Sequence, residues 1–321
     1  AIPDQYGGVG LGYLELCVIA EELGRAVAPI PFSSTVYLFA EAVMIAGSDE
    51  QKQTYLPKVA SGEIIGALAM SERAGAVTPK SIQTSASGGT VSGTKIPVPD
   101  GDIANHILVA ARTGSGNDER SISLFVVDGD ATGVTRSTVD TVDPTRSHAT
   151  ITFDSADAEP LGEAGEGWAI IERVFDRAAV LMAFEQLGGS QAALEMGRDY
   201  ALERYAFGRQ IGSFQAIKHK LADMYVATEL ARSNCYYGAW ALSTDAPELP
   251  VAAATARVSA TEAYHHCSKE NIQVHGGMGF TWEFDCHLHY RRSKLLSLTL
   301  GSQSRWKDML ISRLEERNVA A

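Results

Sequence analysis

The stretch RAAVLMAFEQLGGSQ, residues 177 to 191, sets one carboxylate into an apolar run. At helical spacing Ala178, Leu181, Met182, Glu185, Gly188, Gly189 and Ala192 share one face, so the charge of Glu185 points where a core should be. Desolvation raises the pKa of such a carboxylate, which makes Glu185 a candidate general base for a weakly acidic proton. A structural reading stands beside it: pairing with an arginine such as Arg177 or Arg292, or exposure at a helix irregularity permitted by Gly188 and Gly189. Asp176 lies at the charged, amphipathic start of the same segment and reads as a surface or N-terminal charge.

A second set of residues suits a phosphate. YALERYAFGRQIGSFQAIKHKLADMY, residues 200 to 225, ends one helix at Phe207 and Gly208 and restarts another near Ser213. Arg204 and Arg209 then flank a tight turn, with Gln215 one turn into the next helix. Arginine beside helix-terminal amides matches phosphate oxygens, although a solvated charged turn gives the same pattern. In NIQVHGGMGFTWEF, residues 271 to 284, Gly276 and Gly277 close a long helix, and their missing side chains let a ligand reach the backbone. A glycine cap explains one of them, not the pair followed by Gly279. His265, His266 and Cys267, with Cys286, His287 and His289, lack CxxC spacing and diverge in direction, so they read as core or surface residues and no metal is expected. The scattered Cys17, Cys235, Cys267 and Cys286 are expected as free thiols.

Three compositional blocks must position these groups. Residues 1–64 read as helical: YGGVGLGYLELCVIAEELGRA places Leu14, Cys17, Val18 and residues 20 to 23 at helical spacing, and FAEAVMIAGSDEQKQTYLPKVASGE reads as two helices divided at Gly47, with Ser48 as N-cap. The chain opens inside this helical block, so further residues are expected before Ala1. Residues 65–160 change to a period of two, with short strands GALAMSE, GTVSGTKIPV, HILVAAR, SISLFVV and ATITFD. Residues 161–321 return to the helical period in four long segments, roughly 166–207, 213–243, 248–275 and 293–317, which is a four-helix bundle. With 45% hydrophobic residues, a net charge of -12 and no basic block, nucleic acid and anionic membrane surfaces are poor partners. No apolar run approaches the roughly 18 residues of a membrane span and no signal peptide opens the chain, so a cytoplasmic location is expected.

The order of helical block, small β domain and bundle, with YALER..FG..IGSFQAIKHKLADM and QVHGGMGFT, resembles the acyl-CoA dehydrogenase family of flavoproteins over essentially the whole chain. The resemblance implies an α+β fold: an N-terminal helical domain truncated at its start, a β-barrel-like middle domain and a C-terminal four-helix bundle. It implies FAD between the β domain and the bundle, with its pyrophosphate and adenine reaching a neighbouring subunit. Arg204, Phe207 and Gln215 would then touch a partner chain's FAD, and Gln273, Gly276 and Gly277 its adenosine-pyrophosphate end. A dimer is the minimum unit, as homodimer, tetramer or heteromer with a related subunit.

Departures from the family pattern fall on the chemistry. The loop that contacts the flavin reads MSERAGAVT and keeps only Ser71 and Glu72 of its usual opening. The strand that usually presents Trp-x-Thr to the ring reads Pro97, Val98, Pro99, which removes the Thr hydroxyl and two backbone N–H groups. In LTLGSQS, Leu300 stands where many members carry the glutamate base, while Ser302 and Ser304 keep positions near the flavin's pyrophosphate. In members with the base on the first bundle helix, its position is Ala178; Glu185 lies two turns further on the same face. Glu185 with an apolar residue and Gly shortly after it, here Leu187 and Gly188, is similar to members resembling heteromeric steroid side-chain dehydrogenases. The implied function is FAD-dependent α,β-dehydrogenation of an acyl-CoA thioester in fatty acid or steroid side-chain breakdown, with Glu185 as base and electron-transfer flavoprotein as acceptor. Two alternatives stay open: a non-catalytic subunit of a heteromeric enzyme, and a flavin oxidase or monooxygenase on the same fold. Ala178, Gly188 and Gly189 lead to the expectation that a bulky or branched acyl group fits.

Overall fold

Ser48 opens a helix where its side chain and position predict. In the computed structural model, which describes residues 1–320 and side chains through residue 318, the Ser48 hydroxyl accepts the Gln51 amide at 3.1 Å and Gln51 Oε1 accepts the Ser48 amide at 3.0 Å. This reciprocal cap starts α3 (Asp49–Ala60) and contributes about 1 kcal/mol. Before it, a π-helical stretch (Ser33–Ala40) runs directly into α2 (Glu41–Ala46). The chain divides into two compact units, Ala1–Leu11 with Pro29–Ala178, and Gly12–Ala28 with Ala179–Ala321.

The first unit holds a mixed eight-stranded sheet in the order β6, β7, β3, β2, β4, β5, β8, with β1 pairing parallel to β4. The strands are β1 (Gly66–Ala69), β2 (Ser85–Ser87), β3 (Thr90–Pro99), β4 (His106–Arg112), β5 (Ile122–Asp128), β6 (Val134–Thr138), β7 (His148–Asp157) and β8 (Glu159–Leu161). Val91, Val98, Ile107, Val109, Phe125, Val127, Ile151 and Phe153 form their common core, where burial of apolar surface drives the packing. The sequence reading misses β2, β6 and β8 because they are short and mostly exposed, with no apolar alternation to find. Glu159 on β8 draws α3 onto the sheet: Gln51 Nε2 donates to it at 2.7 Å and the Tyr55 hydroxyl at 2.5 Å.

The second unit contains α1 (Tyr13–Arg25), the distal part of α4 (Gly167–Glu203), α5 (Gln215–Ser243), α6 (Leu249–His275), α7 (Cys286–Leu298) and α8 (Gln303–Ala320). Two short strands, β9 (Tyr205–Ala206) and β10 (Arg209–Gln210), form a hairpin after α4. The expected fourth long segment is two helices: it begins earlier, at Cys286, and breaks where Leu300 and Gly301 take φ of 65° and 102°. α6 buries Ala252, Ala253, Ala254, Ala256, Ala260 and Ala263, and packs against α5, α7 and α8.

α1 corrects the sequence reading. Its buried face is Leu16, Cys17, Ala20 and Gly24, whereas Leu14 and Val18 are 52% and 62% exposed. Glycine decides the face: a Cβ at Gly24 would collide with the Glu185 carbonyl, and one at Gly188 with the Glu21 carbonyl. Two backbones therefore approach closely at this crossing, and hydrophobic spacing alone does not report that. No described helix is long and apolar enough to cross a membrane.

Candidate functional site

Glu185 sits at that crossing, 1% exposed. Its Oε1 lies 3.4 Å from Nη1 of the fully buried Arg292 on α7. The same guanidinium donates to the carbonyls of Ala28 at 3.3 Å and Val27 at 3.4 Å. Of the two arginines weighed from the sequence, Arg292 is the partner, while Arg177 pairs with Glu41 at 3.4 Å. The neighbouring Gln186 accepts from Arg257 Nη1 at 2.6 Å and from the Thr261 hydroxyl at 3.1 Å. Arg257 also donates to the carbonyls of Leu296 and Thr299, closing the C-terminal end of α7. Burial pushes the pKa of Arg257 down.

Two further readings from the sequence change. Asp176 is buried rather than a surface charge. Gly188 and Gly189 do not open room for a bulky acyl group: α1 backbone covers Gly188 and the Tyr264 ring covers Gly189. Of the histidines in residues 265–267 and 286–289, only His289 is buried; His265, His266 and His287 are half-buried. His289 is buried, with the Tyr264 hydroxyl 3.2 Å from its Nδ1, and burial lowers its pKa to about 4. Cys17, Cys235, Cys267 and Cys286 are free and buried.

The phosphate-suited residues collect at one end of the helical unit. Tyr200 on α4 stacks on His275, the last residue of α6, with centroids 4.1 Å apart, and both contact Phe284. This stack ties the C-terminal part of α4 to the C-terminal end of α6; Arg204 follows α4 directly, and Gly276 and Gly277 follow α6. Arg204, Gln215 and Gln273 are exposed, and Phe207 is 97% exposed with φ of 53°. Gly276 has φ of 60°, and a Cβ on either glycine would meet nothing within 4 Å. The backbone there is bare, as close approach of an anionic ligand requires.

Ser302 and Ser304 lie elsewhere. Gln303, between them, reaches the Val258 carbonyl at 3.5 Å. Val258 precedes Gly276 by 18 residues, about 27 Å along α6. Both serines are exposed at the turn into α8, where Ser302 Oγ accepts the Arg305 amide at 3.3 Å. Leu300, just before them, is buried. In the β unit, Ser71 Oγ donates to the Arg73 carbonyl at 3.3 Å and the Ser71 carbonyl accepts the Ile96 amide at 2.7 Å. With that amide taken, and Pro97 and Pro99 lacking one, Ser71 is the expected contact residue that this segment retains. The sequence reading missed Lys95, fully buried and 2.8 Å from Glu72. A lysine at an inward position of an alternating strand is the signal that marks it.

Residues 1–63, 67–156 and 165–314 match the N-terminal, middle and C-terminal domains of acyl-CoA dehydrogenase. Over 91% of its length the chain is 34% identical to the acyl-CoA dehydrogenase IpdE2 of Mycobacterium tuberculosis, covering 75% of that protein. Butyryl-CoA dehydrogenase from Megasphaera elsdenii superposes with a TM-score of 0.90 at 27% identity, over 97% of this chain and 85% of that one. A variant of the Tcur3481-Tcur3483 steroid ACAD superposes with a TM-score of 0.87 at 32% identity, over 99% and 85%. The three-part fold is that of a flavin-dependent oxidoreductase. The chain belongs to the acyl-CoA dehydrogenase family.

FAD is the cofactor of this family. The bare backbone at Gly276 and Gly277 leaves room for an anionic pyrophosphate, and Arg204 is an exposed cation at the end of α4.

Proposed function

We propose that this chain takes part in FAD-dependent α,β-dehydrogenation of an acyl-CoA thioester as the subunit that completes the cofactor site, with a related partner chain supplying the base. The observation that carries this reading is the ion pair of Glu185 and Arg292 in the helical core. A base must reach the proton it removes, and Glu185 is held by a guanidinium that also grips the Val27 and Ala28 carbonyls just after α1. At the two positions where the family carries its base, this chain has Ala178 and Leu300, neither able to hold a proton.

When bound, FAD supplies the hydride acceptor for the carbon β to the thioester carbonyl. The chain's own residues bind and orient. Arg204 and the peptide groups at Gly276 and Gly277 neutralise pyrophosphate charge, Phe207 offers an exposed ring face, and Gln215 and Gln273 offer amide partners. Ser302 and Ser304 serve a second cofactor, since about 27 Å of helix separates them from Gly276. One chain thus contributes to two FAD sites of a dimer or tetramer, and Ser71 of the β unit contributes its hydroxyl. Electrons pass to electron-transfer flavoprotein, as the family resemblance implies. The similarity to a steroid ACAD makes steroid side-chain thioesters the first substrates to try, beside linear ones.

A second reading keeps Glu185 as the base of a self-sufficient enzyme. It is supported by a buried carboxylate two turns from Ala178 on one helix. Anaerobic visible spectra decide between them, recorded with saturated acyl-CoA thioesters for the chain alone, the chain coexpressed with a related subunit, and Glu185→Gln. Flavin bleaching only in the coexpressed form, unchanged by Glu185→Gln, is the expected result. Bleaching by the chain alone that Glu185→Gln abolishes at unchanged melting temperature establishes the second reading instead. Rapid reaction of the reduced flavin with oxygen points to an oxidase.

A further inference from the structure

Lys95 is a buried charge for which the reading above has no task. Its Nζ donates to the Met70 carbonyl at 3.1 Å and to Glu72 Oε1 at 2.8 Å, with the side chain fully buried. Glu72 also accepts the amides of Gln83 at 2.7 Å and Thr84 at 2.9 Å. The residue after Lys95 donates its amide to the Ser71 carbonyl. Residues 70–72, residues 83–84 and the end of β3 therefore meet around one ammonium. A methionine of similar length would fill this space without desolvating a charge. The charge is kept directly beneath the segment that carries Ser71.

We propose that Lys95 is a positioning residue for the flavin: its ammonium, held against residues 70–72, fixes the shape of that segment and so sets how tightly, and over what pH range, the cofactor is held. The proposal rests on the reading that this segment touches FAD.

The charges around the pair are few. Arg73 and Lys80 on the adjoining segments are exposed, as is Asp154 on β7, and Arg112 is committed to the carbonyls of Pro79 and Ile82 and the Ser121 hydroxyl. Burial lowers the pKa of Lys95 to about 8 against the opposing pull of Glu72, the one ionisable group among the described residues whose charge bears on it. Burial works to raise the pKa of Glu72, but Lys95 and the two amides outweigh it and the net shift is downward. The clamp is charged below pH about 8 and loses its cation above. Flavin affinity is then full below that point and falls about tenfold per pH unit above it, for one linked proton. Lys95's contribution to global stability runs the other way. Its folded pKa lies below the 10.5 of a free lysine, so the unfolded chain holds more protons between pH about 8 and 10.5, and stability rises with pH there.

The test is FAD titration of the deflavinated protein, with its partner subunit present where flavin binding needs one, followed by flavin fluorescence from neutral to alkaline pH. Wild type, Lys95→Met and Lys95→Arg are compared. In the unliganded proteins, hydrogen exchange at the Gln83 and Thr84 amides is measured alongside, corrected for intrinsic rates. Wild type is expected to weaken about tenfold per unit above pH about 8; Lys95→Met is weak at every pH; Lys95→Arg, whose charge persists, binds with no pH step. Equal slopes in wild type and Lys95→Met overturn the proposal. If Lys95→Met does not fold, Lys95→Arg decides, because a surviving step there overturns it too. A wild type that binds no FAD in any assembly rejects the reading of the site instead. Hydrogen exchange then judges the clamp alone, and equal protection of Gln83 and Thr84 in wild type and the folded variants rejects it.

Discussion

The two units each hold a buried cation in an ion pair and treat it differently. In the β unit, Lys95 and Glu72 meet at 2.8 Å, and the carboxylate takes two backbone amides besides. In the helical unit, Glu185 and Arg292 stand 3.4 Å apart, and the guanidinium spreads its donors over the Val27 and Ala28 carbonyls that follow α1. The first pair shapes a loop, whereas the second joins helices. A buried charge is therefore not in itself a sign of catalysis, and what its partner grips tells more than its burial does.

The largest effect is expected from cutting the helical pair. Arg292→Met leaves Glu185 buried without that countercharge and should cost about 3–5 kcal/mol, against about 1–2 kcal/mol for Glu185→Gln, which keeps an acceptor. Denaturant titration of both variants checks this. A Glu185→Gln protein as stable as wild type would break the comparison and return Glu185 to the list of bases.

Next comes the acid limb. Burial first, and then the charge of Arg292, lowers the pKa of His289 to about 4 from the ordinary 6.5. The unfolded chain binds the extra proton between those values, so stability should fall as pH drops through them, by up to about 3 kcal/mol. Melting temperatures of wild type and His289→Gln over that interval give the slope, which the variant should lose.

A third carboxylate sharpens the contrast, because Glu159 is held by the neutral donors Gln51 and Tyr55. Tyr55→Phe should cost about 2 kcal/mol, and a calorimetric loss near zero would show that this acceptor is satisfied without the hydroxyl. Smallest is Ser48→Ala at about 1 kcal/mol, read from the shift in chemical midpoint.

The three-part order and most helices were legible because periodicity and caps are local: Ser48 states its role within four residues. Strands β2 and β6 were not, since short exposed strands owe their existence to their neighbours. The face of α1 was misread because Gly24 and Gly188 encode closeness between distant segments, which shows in neither hydropathy nor spacing. Glu185 was legible as an anomaly, but its partner lies 107 residues away, and the sequence offered Arg177 on equal terms. Arg204, Phe207 and Gly276 were singled out through the family resemblance; the stack of Tyr200 on His275, which ties α4 to the end of α6, was not.

The span of α6 has a genetic consequence. If one chain serves one cofactor at its Gly276 end and another at its Ser302 turn, then in an assembly of identical copies a lesion at either end spoils every site. Two alleles damaged at opposite ends, Arg204→Ala in one and Ser302→Ala with Ser304→Ala in the other, would complement. In a mixed pair one site gathers both lesions and the other inherits none, so coexpression restores bound flavin that neither allele retains alone; a flavin content no higher than that of the separate alleles would refute the two-site arrangement.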